Sequence, residues 1–212
     1  MIKYETLRLK IRKYYIKATY KLRRKKINKF DFTIISNNCW GGTIYQSYGL
    51  RYNTPTVGLF FMAEDYIKFV SNIREYLKCE LRFINYKESK RYKMLGEKIN
   101  YPIAQLNDIE IYFMHYKTEY EAKEKWKRRC ERINWNKILF KFSNQNYCEK
   151  EHIEKFMNLP EKNKICFVNK DFDVKGTIKI KQLFQTEDIR ASYEPFGNSR
   201  YININNIINN IK

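Results

Sequence analysis

Only seven glycines, four prolines and two histidines occur in 212 residues, and 42 Lys and Arg outnumber 23 Asp and Glu. No uninterrupted apolar stretch approaches the ~18 residues that a membrane span requires, so no transmembrane helix is expected. The basic N-terminus never gives way to an apolar h-region, which argues against a cleavable signal peptide. Cys39, Cys79, Cys130, Cys148 and Cys166 are odd in number and scattered, with no CxxC pair. That spacing speaks against a disulfide framework and a zinc knuckle, and it points to a reducing, cytoplasmic compartment. With His115 and His152 alone, a His-rich metal site is excluded and no metal ligand is assigned.

What is present is aromatic and basic. Aromatic residues make up 17% and hydrophobic residues 43% of the chain, too much apolar material for a disordered polyelectrolyte and enough for a buried core. The length predicts one domain with an appendage, divided here into a basic arm over 1–29 and a single α/β domain over 30–212. The arm holds 12 Lys and Arg and a single acid, Glu5, so +11 of the formal +19 resides there. The remaining +8 belongs to a mildly basic globular body.

Residues 2–27 contain no Pro or Gly, and Tyr4, Leu7, Ile11, Tyr14, Tyr15, Ala18 and Leu22 recur at helical spacing. At ~100° per residue they form a stripe about 100° wide, the pattern of an amphipathic helix. Ile2, Leu9 and Ile16 make a thinner row on the far side. Three roles are open to such a helix: packing its stripe on its own domain, lying on anionic lipid at the inner membrane face, or gripping nucleic acid. No helix-turn-helix, zinc-finger or RRM signature accompanies it, which counts against nucleic acid.

In the body, residues 31–35, 81–85, 109–113, 138–142 and 165–168 read as short buried strands. Residues 63–77, 118–134 and 148–157 read as helices, the second opened by a Thr118–Glu121 capping box. The isoleucines of the tail, Ile204, Ile207, Ile208 and Ile211, also follow helical spacing. This alternation favours an α/β sandwich with a mostly parallel sheet.

Chemistry is expected at two places. Ser36-Asn37-Asn38-Cys39-Trp40-Gly41-Gly42 follows the first strand, where an α/β protein carries its ligand loop. Asn37, Asn38, Cys39, Gly41 and Gly42 are therefore candidates for substrate or donor contact, as amide groups and as open backbone N–H, although the run is neither GxGxxG nor a P-loop. A tight turn is the plainer account of the two glycines. No His or Lys in this motif would lower the thiol pKa, so Cys39 is not expected to be a nucleophile. His115, between an apolar strand and a capped helix, is the candidate general base, and strand logic places it on the same sheet edge as Gly41. Lys125, Arg128, Arg129 and Arg132 are the densest cationic cluster of the body and are candidates for holding a diphosphate. The competing account is a solvated face held by Glu121–Lys125 and Glu124–Arg128 pairs. Asp171-Phe172-Asp173 has the DxD spacing of many metal-assisted sugar-nucleotide transferases, but three residues are an unspecific motif.

Four segments carry a resemblance: Ser36–Gln46, Arg51–Phe60, Tyr101–Ile111 and His115–Asn136. In order along the chain, they are similar to an uncharacterised bacterial domain family of exopolysaccharide and capsule biosynthesis proteins, some members of which carry an acetyltransferase label. The resemblance covers residues 30–170, with the arm outside it and the stretch after Val168 matching least. It implies a Rossmann-like three-layer α/β/α sandwich and a role in surface-polysaccharide assembly, and it assigns no catalytic residues. Two function classes follow. One is a transferase that moves an acyl or glycosyl group onto a sugar hydroxyl, from acetyl-CoA or a nucleotide sugar, on a sugar or polysaccharide-precursor acceptor. The other is a non-catalytic adaptor for a nucleic acid or a membrane surface, working through the arm.

Overall fold

The computed structural model describes residues 2–95 and 99–212. Four parallel strands, β1 (Thr33–Ser36), β5 (Ile138–Ser143), β6 (Lys164–Val168) and β7 (Ile178–Lys179), form one sheet in that spatial order. Three antiparallel strands, β2 (Leu81–Ile84), β3 (Ile103–Leu106) and β4 (Ile109–Tyr112), form a second. Eight helices accompany them among the described residues: α1 (Ile2–Arg24), α2 (Trp40–Ser47), α3 (Ala63–Ser71), α4 (Ile73–Tyr76), α5 (Tyr92–Leu95), α6 (Glu119–Cys130), α7 (Lys150–Met157) and α8 (Ile204–Asn210). The architecture is α/β.

The parallel strands are nearly continuous apolar runs because alternate residues enter two different cores. Ile35, Phe140, Phe142, Cys166 and Val168 join α3, α4, α6 and α7. Ile34, Leu139, Ile165 and Phe167 join α2, α8 and Phe32. The isoleucine tail earns its place here, since Ile204, Ile208 and Ile211 are buried in that second cluster.

Three boundaries differ from the sequence reading. The helix read over 63–77 is broken at Asn72, whose carbonyl accepts from Glu75 N–H at 3.0 Å and starts α4. The helix read to 134 ends at Cys130, where Arg132 and Ile133 make tighter i→i+3 bonds and Asn134 turns away to Thr33 and Asp31. Its start is as expected: Thr118 Oγ1 accepts from Glu121 N–H at 3.1 Å, while the Glu121 carboxylate accepts from Lys117 N–H. The third difference matters most. The strand 109–113 belongs to the antiparallel sheet, paired to β3 across an Asn107–Asp108 turn in which Asn107 has φ 55°.

Candidate functional site

Position 141 is a lysine in the middle of an otherwise apolar central strand. Its parity sends it to the α2 side of the sheet, and its side chain is fully buried. Lys141 Nζ donates to Glu194 Oε1 at 2.6 Å, Ser143 Oγ at 2.9 Å and Asn38 Oδ1 at 3.0 Å. Asn38 Nδ2 lies 3.1 Å from both Glu194 oxygens, and Asn37 Nδ2 donates to Ser143 O at 3.0 Å. Burial pushes the Lys141 ammonium below the usual lysine range, and Glu194 pulls it back up. Trp40 closes one side, its indole N–H donating to Pro195 O at 2.6 Å.

This network sits at the carboxyl edge of β1 and β5, where open α/β sheets carry ligands. Here the edge is covered by the chain itself. Asn144 Nδ2 donates to Glu187 O at 3.1 Å, Asn169 Nδ2 to Thr186 O at 2.6 Å, and Gln145 Nε2 to Ile189 O. Residues 186–194 thus form a strap bonded to the amides that follow β5 and β6, and Glu194 is the ion that ends it. The strap is clamped in turn by α1: the Glu5 carboxylate accepts from Ser192 Oγ–H at 2.7 Å, and Arg12 donates to Ala191 O at 2.6 Å.

The Asn37–Gly42 candidates divide accordingly. Asn37 and Asn38 belong to the buried network. Gly41 and Gly42 are not turn residues at positive φ; both lie in the first turn of α2. A Cβ on Gly41 would sit 3.0 Å from Ser36 Oγ, and one on Gly42 3.1 Å from Val57 Cγ1, so these glycines let α2 pack closely. Of the N–H groups expected to be open, that of Gly41 donates to Ser36 Oγ, and the neighbouring Trp40 N–H donates to Asn38 Oδ1. Cys39 Sγ lies 3.7 Å from Leu59 O, and burial pushes its thiol up to about 11. Cys39→Ser is therefore expected to leave the thermal midpoint and any transfer rate within twofold of the parent, and iodoacetamide mass mapping should show slow labelling at Cys39.

His115 is not on the edge that carries Gly41. It follows β4, outside the parallel sheet, and is held near the first motif by a separate connection. Phe60 and Tyr112 exchange backbone bonds of 2.9 and 3.1 Å, and His115 N–H donates to Gly58 O at 2.9 Å. The segment 57–59 is thus a shared wall, with Cys39 and Gly42 against it on one side and His115 and Tyr116 on the other. The His115 side chain is exposed, with no ring hydrogen bond or ion pair among the described residues.

The four basic candidates separate just as clearly. Lys125 is paired with Glu121 at 2.5 Å, as read from the i,i+4 spacing, whereas Glu124 and Arg128 form no ion pair. Arg129 is buried; it donates to Val57 O at 3.3 Å and to the Tyr116 hydroxyl, and lies over the Tyr52 ring at 5.1 Å. Arg128 is exposed and Arg132 half-buried, Arg132 donating to Tyr52 O at 3.4 Å. Arg51, which the sequence reading passed over, completes the group. The Arg132 pKa is lowered, first by desolvation and then by Arg51, Arg128 and Arg129, while Glu131 opposes. The DxD pair is a turn: Asp173, at φ 52°, donates its N–H to Asp171 Oδ1 at 3.0 Å, and Lys179 pairs with Asp171. No group of metal-ligating side chains is assembled among the described residues.

Residues 10–212 match the family described as Domain of unknown function (DUF1919). The chain belongs to the DUF1919 family. The match starts within α1 and runs through the strap to residue 212, so the strap and α1 from Lys10 onward lie inside the domain, a wider span than the resemblance over 30–170. An uncharacterised protein of Haemophilus influenzae is 32% identical over 163 residues, covering 77% of this chain and 72% of that protein. Within this DUF1919 domain, Lys141 and Glu194 are the residues that reading the sequence missed. A lysine inside a central apolar strand was the available signal, since an unpaired buried ammonium is too costly to persist.

Proposed function

We propose that this protein is a transferase of surface-polysaccharide assembly that moves an acyl or glycosyl group onto a sugar hydroxyl. The observation that carries the reading is the guanidinium group Arg51, Arg128, Arg129 and Arg132, which has no carboxylate in ion-pair contact among the described residues. A phosphate-bearing donor, acetyl-CoA or a nucleotide sugar, supplies the missing negative charge. Arg128 and Arg132 offer guanidinium forks suited to it, while Arg129 holds the 57–59 wall. His115, exposed on that wall, takes the proton of the acceptor hydroxyl. The acceptor oxygen then bonds to the donor carbon as the bond from that carbon to the thioester sulfur, or to the nucleotide phosphate oxygen, breaks. The leaving group carries away the electron pair. A Rossmann-like three-layer arrangement goes with this proposal, supported by the apolar clusters that share the residues of the parallel sheet.

Arg128→Ala or Arg132→Ala is expected to weaken donor binding at least tenfold, about 1.4 kcal/mol, with the melting temperature nearly unchanged. His115→Ala is expected to lower turnover with donor affinity intact. Thermal shift and calorimetry with acetyl-CoA and a panel of nucleotide sugars read both. Arginine variants that melt early yet bind donor normally would make the cluster structural and remove the proposal's support.

A further inference from the structure

The helix α1 docks by the wrong face. Its apolar stripe was the natural candidate for packing on the domain, yet the domain takes the face bearing Glu5, Arg8, Arg12, Ile16 and Arg23. Arg8 lies 3.9 Å over the Tyr193 ring and Arg12 4.6 Å over Phe196, Arg23 Nε donates to Ser47 O at 2.8 Å, and Ile16 is buried. All seven stripe residues are exposed instead, with Leu7 54%, Ile11 59%, Tyr14 79% and Leu22 62% accessible. Leu9, of the thinner row, is exposed as well, and the Ile2 side chain lies outside the described residues.

At 100° per residue the helix divides into three arcs. The docking arc is one, and the apolar stripe is the second. Lys3, Lys10, Lys13, Lys17 and Lys21 occupy the third, flanking the stripe on the side away from the domain. None of these lysines makes an ion pair among the described residues, and the helix's one acid, Glu5, is spent on the strap.

We infer that α1 is an interfacial helix that seats the protein on a bilayer containing anionic lipid, with Leu7, Ile11, Ala18 and Leu22 among the acyl chains and the lysine row on the headgroups. Charge complementarity commits the surface to this occupant. A nucleic acid would use the lysines but leave exposed leucine and isoleucine at the centre of the contact without a purpose. A second copy would bury the stripes but bring two rows of unpaired lysines together. Tyr4 and Tyr15, at the stripe's border, pack nearly perpendicular to the Phe184 and Phe196 rings yet stay exposed, the amphipathic placement that tyrosines take at headgroup depth. With 23 residues at ~1.5 Å each the helix is about 35 Å long, but its charge keeps it in the plane of the surface: no helix among the described residues is long and apolar enough to cross a membrane. This inference rests on α1 alone and is independent of the transferase reading.

Flotation with vesicles of phosphatidylcholine plus phosphatidylglycerol, against phosphatidylcholine alone, tests it on the full chain. The parent is expected to bind the anionic vesicles, at least tenfold better than the neutral ones, and to be released by salt. Leu7→Asp with Ile11→Asp, and separately Lys10→Glu, Lys13→Glu and Lys17→Glu together, should each lower the bound fraction at least tenfold. All these side chains face solvent, so melting should be unchanged, and Lys127→Glu, on an exposed face of α6, should bind as the parent does. Binding to both vesicle types alike, indifference to the α1 substitutions, salt-sensitive binding to duplex DNA or RNA without vesicle binding, or a dimer in sedimentation that the Leu7 and Ile11 changes dissociate would each overturn it.

Discussion

Lys141→Met is expected to destabilise the fold by about 3–5 kcal/mol, the cost of leaving one ion of a buried pair without its partner. Glu194 is 2% exposed; Lys141 and the amide of Asn38 bond its carboxylate, and Arg12 lies near enough to be attracted by it. Glu194→Gln should cost less, because an amide oxygen can still accept from Lys141 Nζ. The double variant Lys141→Met with Glu194→Met should recover much of the loss, since removing both ions removes the uncompensated charge as well. Urea unfolding of the parent, Lys141→Met alone, Glu194→Met alone and the double variant closes the cycle. If the double variant loses the sum of the two single losses, the pair contributes no coupling, and the strap is held by its backbone and amide bonds alone. Residues 186–194 cover the sheet edge, and Glu194 ties them to the central strand through Lys141.

Stability should also fall as pH rises from 4 to 6, through Asp65. This residue is in the first turn of α3 and 6% exposed, with Arg91 Nε at 3.9 Å and Glu110 N–H at 3.4 Å. Burial outweighs these partners and pushes its carboxyl up to about 6 from an ordinary 3.8, with Glu64 and Glu110 adding to the rise. The sign follows from proton binding. A carboxyl whose folded pKa is raised holds its proton more tightly in the native state, so ionisation between about pH 4 and 6 costs native stability and the cost is constant above that window. A rise of about two units corresponds to about 3 kcal/mol at neutral pH. Asp65→Asn is expected to stabilise the protein at pH 7 by up to that amount and to have little effect near pH 4. Urea midpoints across pH 4–8 read the difference, and one that does not change with pH would assign the effect to packing.

The α1 periodicity, the Thr118 cap, the apolar strands at 138–142 and 165–168 and the tail helix are all legible in the sequence. Each depends on residues within one or two turns of each other, where spacing and side-chain type act directly. The hairpin of β3 and β4 is legible in part: the apolar run 109–113 marks a strand, but nothing in the sequence singles out Asn107–Asp108 as the turn that pairs it with 103–106.

What only the tertiary structure decided are pairings between distant segments. Lys141 meets Glu194 across 53 residues, and nothing local at either position marks the other. The strand before His115 points to the parallel sheet, but whether that strand crosses over or folds back depends on its partner, and the Phe60–Tyr112 bridge sets its place. The arm is the clearest case. Its sequence determined an amphipathic helix with a tyrosine and leucine stripe; it could not determine which face the domain would take. The 191–196 segment offers carbonyls and aromatic rings rather than an apolar groove, and these bind guanidinium groups better than leucines, so the arginine face docks and the stripe is left facing out.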